Sequence, residues 1–441
     1  MHIAVIGGGY VGLVSGACFA EFGIDVAVVE THPGRLAALR RGHIPIYEPG
    51  LDTLVADNFA AGRLTFGDDI AAAVQGAEAI FIAVGTPARR GDGHADLEYV
   101  YAAAKQIADA MTAYAVVVTK STVPVGTGRE VARIIREARP DLDFDIASNP
   151  EFLREGNAID DFMKPDRVII GIESDGADGG ARAREIMKRL YRPLYLIETP
   201  IVFASLESAE LIKYASNAFL AMKVTFANEM ADLCEKTGAD IHDIARGIGL
   251  DGRIGRKFLH PGPGFGGSCF PKDTLALVAI AREAGAPTRL IETTVAVNDA
   301  RKVKLAERVI AACDGGILGK TVGVLGLTFK PETDDMREAP SVPILHTLDK
   351  AGAVIRVFDP AGMENARSLL PAGVFYCKDA LDAASNADVL LVLTEWNEFR
   401  ALSPVKLRQI MRGAAIVDLR NIYDPPAMRA AGFHYTSIGR A

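Results

Sequence analysis

Residues 264–273 read GFGGSCFPKD and place one cysteine between glycines and a proline. Pro271 suits the first turn of a helix that continues over residues 274–284, so Cys269 is predicted to lie just before that helix begins. The helix dipole lowers the pKa of a thiol at this position, and the preceding glycines leave the sulfur open to a ligand. Cys269 is therefore a candidate nucleophile, although its spacing also fits a small buried side chain.

Lys213 and Asn217 are a second candidate pair, because they lie four residues apart in a helical pattern and so share one helix face. Aimed into a cleft, such a pair polarises a hydroxyl oxygen and stabilises an alkoxide. A solvent-exposed helix face is the commoner setting for it. Asp273 also has a structural alternative, since an acid in a first helical turn complements the dipole. The sequence alone leaves the roles of Glu151 and Glu155 open.

A glycine-rich fingerprint, GGGYVG, follows the apolar run His2–Ile6 and precedes a helical pattern. Gly7 permits the tight turn, Gly9 lets the backbone approach a pyrophosphate, and Gly12 lets the helix pack on the strand. The helix N-terminus then offers N–H groups to the phosphates. These features predict a dinucleotide site; a glycine turn without a ligand is the alternative.

Glu30 indicates which dinucleotide, because it ends the second apolar run 18 residues after Gly12. An acid there accepts bonds from both ribose hydroxyls and repels a 2′-phosphate, which favours NAD over NADP. Gly85 and Thr86 close another predicted strand, where small residues let a cofactor lie flat; an ordinary turn is the alternative. An NAD site beside a reactive cysteine suggests oxidation past the aldehyde, through a thiohemiacetal and a thioester.

Short apolar runs alternate with helical patterns over the first 200 residues, which is typical of a parallel, doubly wound sheet. One long helix is predicted over residues 206–234, within a helical connector, and the alternation returns after Gly319. We therefore expect an α/β fold of two Rossmann-like, doubly wound lobes joined by a helical connector with one long helix. The expected domains are an NAD-binding domain (1–200), a helical connector and dimerisation region (201–300) and a sugar-nucleotide domain (301–441), with a cleft between the lobes. The predicted strands are 2–6, 25–29, 79–84, 115–119, 145–148, 167–172, 321–325, 354–358, 389–393 and 415–418.

Composition narrows the class of protein. The 441 residues carry 48 Lys and Arg against 56 Asp and Glu, for a net charge of -8, so a nucleic-acid partner is not expected. Five widely spaced cysteines without a C-x-x-C suit a reducing compartment, and Cys18 and Cys234 are expected to be buried in helices. The apolar N-terminus lacks the basic segment of a signal peptide, and no long apolar span predicts a membrane helix. We expect a cytoplasmic protein.

Several motifs together resemble the nucleotide-sugar 6-dehydrogenase family over nearly the whole chain. Residues 162–171, FMKPDRVIIG, are more similar to its UDP-glucose branch than to its GDP-mannose branch, which shares the NPEFLRE run. The remaining motifs are the fingerprint, IPIYEPGL (44–51), KSTVPVG (120–126), NPEFLREG (149–156), ELIKYASN (210–217), GFGGSCFPKD (264–273) and GLTFK (326–330).

The resemblance implies that UDP-glucose is oxidised at C6 to UDP-glucuronate with two NAD reduced, or alternatively that another nucleotide sugar such as GDP-mannose is oxidised by the same mechanism. It implies that Cys269 is the nucleophile, that Lys213 stabilises the negative charge on the C6 oxygen, and that Glu151 acts as a base in thioester hydrolysis. The catalytic residues it implies are Thr122, Glu151, Lys213, Asn217, Cys269 and Asp273.

The resemblance also implies binding residues, a homodimer or larger homo-oligomer, and no metal. Substrate contacts are implied for Glu151, Phe152, Leu153, Lys213, Asn217, Phe265, Gly266, Lys330, Arg420 and, from a neighbouring subunit, Arg253. Cofactor contacts are implied for Gly7, Gly9, Tyr10, Val11, Gly12, Glu30, Arg35, Gly85, Thr86, Thr122, Glu155, Lys272 and Arg337.

Two rival hypotheses remain open. One is a two-electron hydroxyacid dehydrogenase, in which Lys213 and Asn217 do the chemistry and Cys269 is incidental. The other is an NAD-sensing protein without catalysis, which needs no nucleotide site in the C-terminal lobe.

Overall fold

In the computed structural model of the chain, the structure describes residues 1–87, 89, 93–173, 179–313 and 316–440. The chain divides into two units, Met1–Ser216 and Asn217–Ala441. The boundary falls within one helix of 32 residues, Leu206–Thr237. Each unit is described separately below.

An eight-stranded sheet organises the first unit, in the order β3-β2-β1-β4-β5-β6-β7-β8. Its strands are β1 His2–Ile6, β2 Asp25–Val29, β3 Leu64–Gly67, β4 Ala79–Ile82, β5 Ala115–Thr119, β6 Phe144–Ser148, β7 Val168–Ile172 and β8 Ile201–Ala204. Its helices are α1 Tyr10–Glu21, α2 Pro33–Arg40, α3 Leu51–Ala60, α4 Ile70–Val74, α5 Glu98–Ala110, α6 Thr127–Ala138, α7 Ala158–Met163 and α8 Ala181–Leu190, followed by a 3₁₀ helix, Arg192–Ile197, and by α9 Leu206–Thr237, which continues into the second unit.

Helices cover both faces of this sheet, which explains the continuous apolar runs of its strands. In β5, Val116 and Val118 pack into a core on one face, and Ala115 and Val117 pack into a core on the other. One pairing differs from an all-parallel sheet: β7 runs antiparallel to β6. The segment between them carries only the six-residue helix α7, so it does not form a crossover that would return the chain in the parallel direction.

The second unit contains the rest of the connector helices and a six-stranded parallel sheet in the order β11-β10-β9-β12-β13-β14. Its strands are β9 Thr321–Leu325, β10 Val354–Phe358, β11 Phe375–Tyr376, β12 Val389–Val392, β13 Ala415–Asp418 and β14 His434–Ser437. Its helices are α10 Ile241–Gly249, α11 Phe270–Glu283, α12 Arg289–Ala311, α13 Ser341–Lys350, α14 Met363–Ala366, α15 Ala380–Ala384, α16 Asn397–Arg400, α17 Pro404–Ile410 and α18 Pro425–Ala430.

The predicted fold class is confirmed: two doubly wound α/β sheets are present, and the long helix α9 lies between them in the chain. The predicted strands recur within a residue or two, and the sequence missed β3, β8, β11 and β14. Across the described part of the chain, no helix combines the length and the apolar content that a membrane span requires.

Candidate active site

Cys269 is the N-cap residue of α11, and Pro271 lies in the first turn of that helix, as predicted. Its side chain is partly exposed, whereas Cys18 and Cys234 are buried in helices. The Cys269 sulfur lies 3.4 Å from the Ser268 hydroxyl. An N-cap position favours negative charge on the sulfur, and its exposure allows a ligand to approach.

Two glycines before Cys269 are required by close contacts inside the second unit. A Cβ on Gly266 would lie 2.4 Å from the Glu338 carbonyl oxygen, and one on Gly267 would lie 2.7 Å from the Phe329 ring. The Gly267 amide donates to the Arg337 carbonyl at 2.8 Å. The cysteine loop is therefore fixed against the segment 329–338.

Buried polar side chains of the connector helices hold the start of the same loop. Asn298 on α12 accepts from the Phe265 amide at 2.8 Å and donates to the Phe265 carbonyl at 3.2 Å. Arg301, one turn further on, donates to the Gly262 carbonyl at 2.8 Å. Asn298 and Arg301 are supporting residues that the sequence did not reveal, because a helical pattern does not show which polar residues are buried.

Asn217 and Asp273 form a buried pair in the second unit. The Asn217 amide nitrogen donates to Asp273 at 2.6 Å, and Lys272 lies 3.4 Å from the other carboxylate oxygen. Asp273 is only 1% exposed, so its environment differs from that of a solvent-facing acid at a helix start. It lies one turn beyond Cys269 on α11.

Lys213 and Glu151 form a buried ion pair in the first unit, with the ammonium 2.8 Å from a carboxylate oxygen. The other Glu151 oxygen accepts from the Leu153 amide at 2.6 Å. The Phe152 ring lies 5.4 Å from the Lys213 ammonium and 3.6 Å from the Arg167 guanidinium. Burial acts to raise the pKa of Glu151, but Lys213 and the Leu153 amide outweigh it and hold that pKa below its ordinary value.

A second buried cation, Lys120, holds the first residue of the segment 149–151, which contains Glu151. Its ammonium donates to Asn149 at 3.0 Å and to the Tyr191 hydroxyl at 3.3 Å. The Asn149 amide nitrogen donates to the Ile169 carbonyl at 2.8 Å, so Asn149 is held between two strands. Burial lowers the pKa of Lys120 to about 8. Lys120, Asn149 and Tyr191 have no predicted role in the sequence analysis.

Glu210 lies one turn before Lys213 on α9 and caps a different helix. Its two carboxylate oxygens accept from the amides of Gly126, at 2.6 Å, and Gly128, at 2.7 Å, at the N-terminus of α6. Ser148 lies 3.3 Å away. Burial raises the pKa of Glu210 to about 7, although the two amides act to lower it. This carboxylate fixes the first turn of α6 relative to the part of α9 that carries Lys213.

The glycine fingerprint has the geometry of a dinucleotide loop. Gly7 adopts φ +114°, and a Cβ there would lie 2.6 Å from the Ala83 carbonyl oxygen. A Cβ on Gly12 would lie 1.9 Å from the Gly7 carbonyl oxygen, so the turn and the helix start both require glycine. A Cβ on Gly9 meets nothing within 4 Å, which leaves the backbone open at the N-terminus of α1. These residues fit NAD, with the first-turn amides of Tyr10 and Val11 available to phosphate.

Glu30 lies directly beside the fingerprint loop, since a Cβ on Gly8 would come within 2.9 Å of it. One carboxylate oxygen accepts from the His32 amide at 2.7 Å, and Arg35 lies 3.2 Å from the other. Tyr10 donates from its hydroxyl to Glu48. Thus Glu30 is buried at the position predicted for the ribose-binding acid, with a cation beside it.

The remaining predicted residues make other contacts. Thr86 donates to the Thr122 carbonyl at 2.9 Å, which joins two predicted cofactor residues, and Gly85 is exposed beside them. Glu155 is partly exposed. Arg253 is 90% exposed and pairs with Asp251. A cavity of about 600 Å³ beside Glu48 and Asn157 is lined by none of the predicted site residues.

The second sheet positions the remaining predicted substrate residues. Arg420 donates to the Leu393 carbonyl at 2.9 Å and to the Phe329 carbonyl at 2.7 Å. Lys330 follows Phe329 in the loop after β9, with its ammonium 5.5 Å from the Phe329 ring. Arg337, predicted to reach cofactor phosphates, pairs with Asp335 at 2.8 Å and is largely exposed.

Three family models match successive parts of the chain. They are the NAD binding domain (residues 1–195), the central domain (207–300) and the UDP binding domain (323–425) of the UDP-glucose/GDP-mannose dehydrogenase family. The NAD cofactor predicted from Glu30 and the fingerprint therefore agrees with the family of the N-terminal domain.

Several dehydrogenases are similar to this chain over its full length. A UDP-glucose 6-dehydrogenase of Rhizobium meliloti is 60% identical over 440 residues, covering 100% of both chains. UDP-glucose 6-dehydrogenase TuaD of Bacillus subtilis is 46% identical, covering 99% of this chain and 93% of its own. A solved UDP-glucose dehydrogenase from Pyrobaculum islandicum superposes with a TM-score of 0.90 at 39% identity, covering 100% of this chain and 98% of its own.

Proposed function

Because the chain belongs to the UDP-glucose/GDP-mannose dehydrogenase family, we propose that it oxidises the C6 alcohol of UDP-glucose to the carboxylate of UDP-glucuronate. The observation that carries this proposal is the partly exposed Cys269 at the N-terminus of α11, one turn before the buried pair of Asp273 and Asn217. A thiol so placed allows oxidation to continue past the aldehyde.

Cys269 holds the substrate between the two oxidations. The first step converts the C6 alcohol to an aldehyde by loss of a proton from oxygen and a hydride from carbon. The Cys269 thiolate adds to the aldehyde carbon and gives a thiohemiacetal, which loses a second hydride and a proton to become a thioester. Water then cleaves the carbon–sulfur bond, which releases the carboxylate and regenerates the thiol.

Charged side chains supply the stabilisation that these steps need. Lys213 is proposed to stabilise the negative charge that develops on the C6 oxygen. Asn217, whose amide nitrogen donates to Asp273 at 2.6 Å, is proposed to donate its other N–H to the same oxygen. Glu151, kept ionised by Lys213, acts as the base that takes a proton from water in thioester hydrolysis, with Thr122 positioning that water.

The fingerprint loop of the first unit would hold NAD, which when bound would supply the hydride acceptor for each of the two oxidations, one NAD after the other. Gly7, Gly9 and Gly12 shape the loop, and Glu30 receives the ribose hydroxyls. Further cofactor contacts are proposed for Tyr10, Val11, Arg35, Gly85, Thr86, Thr122, Glu155, Lys272 and Arg337. Further substrate contacts are proposed for Phe152, Leu153, Phe265, Gly266, Lys330 and Arg420, together with Arg253 across a subunit boundary.

A homodimer through the connector is part of the proposal. Phe219, Phe226 and Leu233 recur every seven residues on α9, and each side chain is about half exposed. A seven-residue spacing places them on one face of the helix, which suits packing against a second copy.

The domain limits 1–200, 201–300 and 301–441 are proposed as well, supported by the three matched family segments. A cytoplasmic location is supported by the odd number and wide spacing of the cysteines.

The decisive experiment offers NAD with UDP-glucose, GDP-mannose, UDP-N-acetylglucosamine or a small 2-hydroxy acid, and counts NADH per substrate molecule. We expect UDP-glucose to have the highest kcat/KM and to yield two NADH. A preference for GDP-mannose with the same yield would reassign the sugar within the family. A yield of one NADH would support a two-electron dehydrogenase, and NAD binding without turnover would support a sensing protein.

A further inference from the structure

The two sheets of this protein place an acid at the same position relative to their first strands. In the first unit Ile6 pairs with Val29, and the Gly7 amide donates to the Val29 carbonyl at 2.9 Å. In the second unit Leu325 pairs with Phe358, and the Gly326 amide donates to the Phe358 carbonyl at 2.8 Å. The next residue is Glu30 in the first case and Asp359 in the second.

The loops that follow these turns differ. After Gly7 come two further glycines, and α1 begins at Tyr10, close to the turn. After Gly326 come Leu327 and Thr328, both buried, and α13 does not begin until Ser341. The second loop therefore lacks the short connection that places a helix N-terminus against a pyrophosphate.

In the second loop, both carboxylate oxygens of Asp359 accept hydrogen bonds from backbone amides. One oxygen accepts from the amides of Leu327, at 2.7 Å, and Thr328, at 3.2 Å. The other accepts from the amides of Ala361, at 2.9 Å, and Gly362, at 2.7 Å. Asp359 is 1% exposed, so it ties the loop amides down instead of receiving ribose hydroxyls as an acid at this position does in a dinucleotide fold.

The loop that Asp359 holds leads directly to the predicted nucleotide contacts. The Thr328 hydroxyl lies 2.9 Å from the Lys330 carbonyl oxygen and 3.2 Å from the Asp359 carboxylate. Phe329 lies between Thr328 and Lys330 in the chain, and its carbonyl oxygen accepts a hydrogen bond from Arg420 at 2.7 Å. A shift of Thr328 would therefore move both the Lys330 backbone and the acceptor that orients Arg420.

We propose that Asp359 is a positioning residue for the uridine diphosphate part of the substrate, acting through Thr328 to place Lys330 and Arg420. The proposal rests on the proposed function, because that function assigns a sugar nucleotide to this unit. It explains how a Rossmann-like sheet accepts a sugar nucleotide here: the amides of its first loop are bonded to Asp359, so positively charged side chains, and not the N-terminus of a helix, supply the attraction for phosphate.

The test is Asp359→Asn, with UDP and NAD binding measured separately by calorimetry on the full-length protein. An Asn places an N–H group where a backbone N–H must be accepted, so the loop loosens. We expect the Kd for UDP and the KM for UDP-glucose to rise about tenfold, with the NAD Kd and the kcat at saturating UDP-glucose within about twofold of wild type.

Asp388→Asn is the matched control. Asp388 accepts from the Thr321 amide at 2.7 Å and pairs with Arg412, but it lies at the opposite, amino-terminal end of the same sheet. We expect it to lower the thermal midpoint and to leave the UDP Kd unchanged. An equal rise in UDP Kd for both variants would reduce Asp359 to a stability residue and overturn the proposal.

Two further outcomes separate the proposal from the function it rests on. If wild type binds UDP but folded Asp359→Asn binds it equally well, the positioning role is wrong and the proposed function stands. If wild type neither binds UDP nor oxidises UDP-glucose, the proposed function itself fails. Should Asp359→Asn not fold, Thr328→Val decides: a UDP Kd raised severalfold supports the proposal, and an unchanged Kd overturns it.

Discussion

The Lys213 ammonium lies 2.8 Å from a carboxylate oxygen of Glu151, and both side chains are buried. Each charge is compensated by the other, so neither is exposed alone to a medium of low dielectric. The pairing holds the pKa of Glu151 below its ordinary value and keeps this carboxylate ionised at neutral pH, as a base requires. This contact thus prepares Glu151 for its proposed role.

Removal of one member of this pair should destabilise the fold. Lys213→Ala leaves an uncompensated carboxylate, and we expect the free energy of unfolding to fall by about 3 kcal/mol. The double variant Lys213→Met, Glu151→Gln removes both charges of the pair, but it also removes the attraction of Glu151 for the buried Lys120 ammonium. We expect it to recover part of the lost free energy of unfolding and to stay inactive. Urea denaturation and NADH formation check the two effects separately. Activity in the double variant would exclude both residues from the chemistry.

Cys269→Ser tests the covalent step. The serine hydroxyl is a far weaker nucleophile than a thiolate, so oxidation should stop after at most one NADH per UDP-glucose. Rapid mixing of excess enzyme with UDP-glucose and NAD measures the yield. Cys234→Ala, a change at a buried cysteine of α9, is the control and should keep a yield of two. Full two-NADH turnover by Cys269→Ser would rule out the thioester mechanism.

The interior of each sheet was predictable, and its edges were not. A strand such as β5, with the sequence AVVVT, is apolar throughout because helices cover both its faces. The four strands that the sequence missed, β3, β8, β11 and β14, are the edges of the two sheets. β14 alternates buried and exposed residues over HYTS, and β11 has two residues, so neither forms a continuous apolar run.

The candidate site was predictable in its residues and not in its contacts. The spacing of Lys213 and Asn217 places them on one face of a helix, but the partners of both, Glu151 and Asp273, lie more than 50 residues away in the chain. Only the tertiary fold brings such residues together. Asn298, which holds the cysteine loop, sits in a helical pattern where a single sequence does not distinguish a buried amide from an exposed one.

Glu30→Ala should relax the choice of cofactor. The variant removes a negative charge from the ribose site and releases Arg35, now 3.2 Å from Glu30, to meet a 2′-phosphate. We expect kcat/KM with NADP to rise about tenfold and that with NAD to fall. The double variant Glu30→Ala, Arg35→Ala should lose the gain with NADP. An unchanged ratio of NAD to NADP use in Glu30→Ala would show that Glu30 does not contact the ribose.

Glu210 should give the stability of the protein a measurable dependence on pH. Burial raises its pKa from 4.5 to about 7 in the folded state. Between these values the folded protein holds a proton that the unfolded chain has released, so the contribution is full below pH 4.5 and is lost as pH rises to about 7. The free energy of unfolding should fall by up to about 3 kcal/mol over this interval.

Comparison with Glu210→Gln isolates this effect, because glutamine does not titrate. Urea denaturation from pH 4.5 to 7.5 measures the unfolding free energy of both proteins. We expect the value for wild type minus the value for Glu210→Gln to decrease as pH rises. Glu207→Gln is the control: the pKa of Glu207 is lowered by its own backbone amide and by Arg129, so its contribution has the opposite sign and is lost as pH falls. If the value for wild type minus the value for Glu210→Gln instead increased with pH, the Gly126 and Gly128 amides would be keeping Glu210 ionised.

Phe226→Glu tests the proposed homodimer. Phe226 is the middle residue of the apolar row on α9, between Phe219 and Leu233, and it is 45% exposed in one chain. A carboxylate at the centre of a helix contact must be buried without a partner, so we expect the dimer Kd to rise more than about 30-fold. Leu290→Glu, at a leucine of α12 that is 73% exposed, should leave the dimer intact. Sedimentation velocity over a range of concentrations measures both variants, and an unchanged oligomer for Phe226→Glu would place the interface elsewhere.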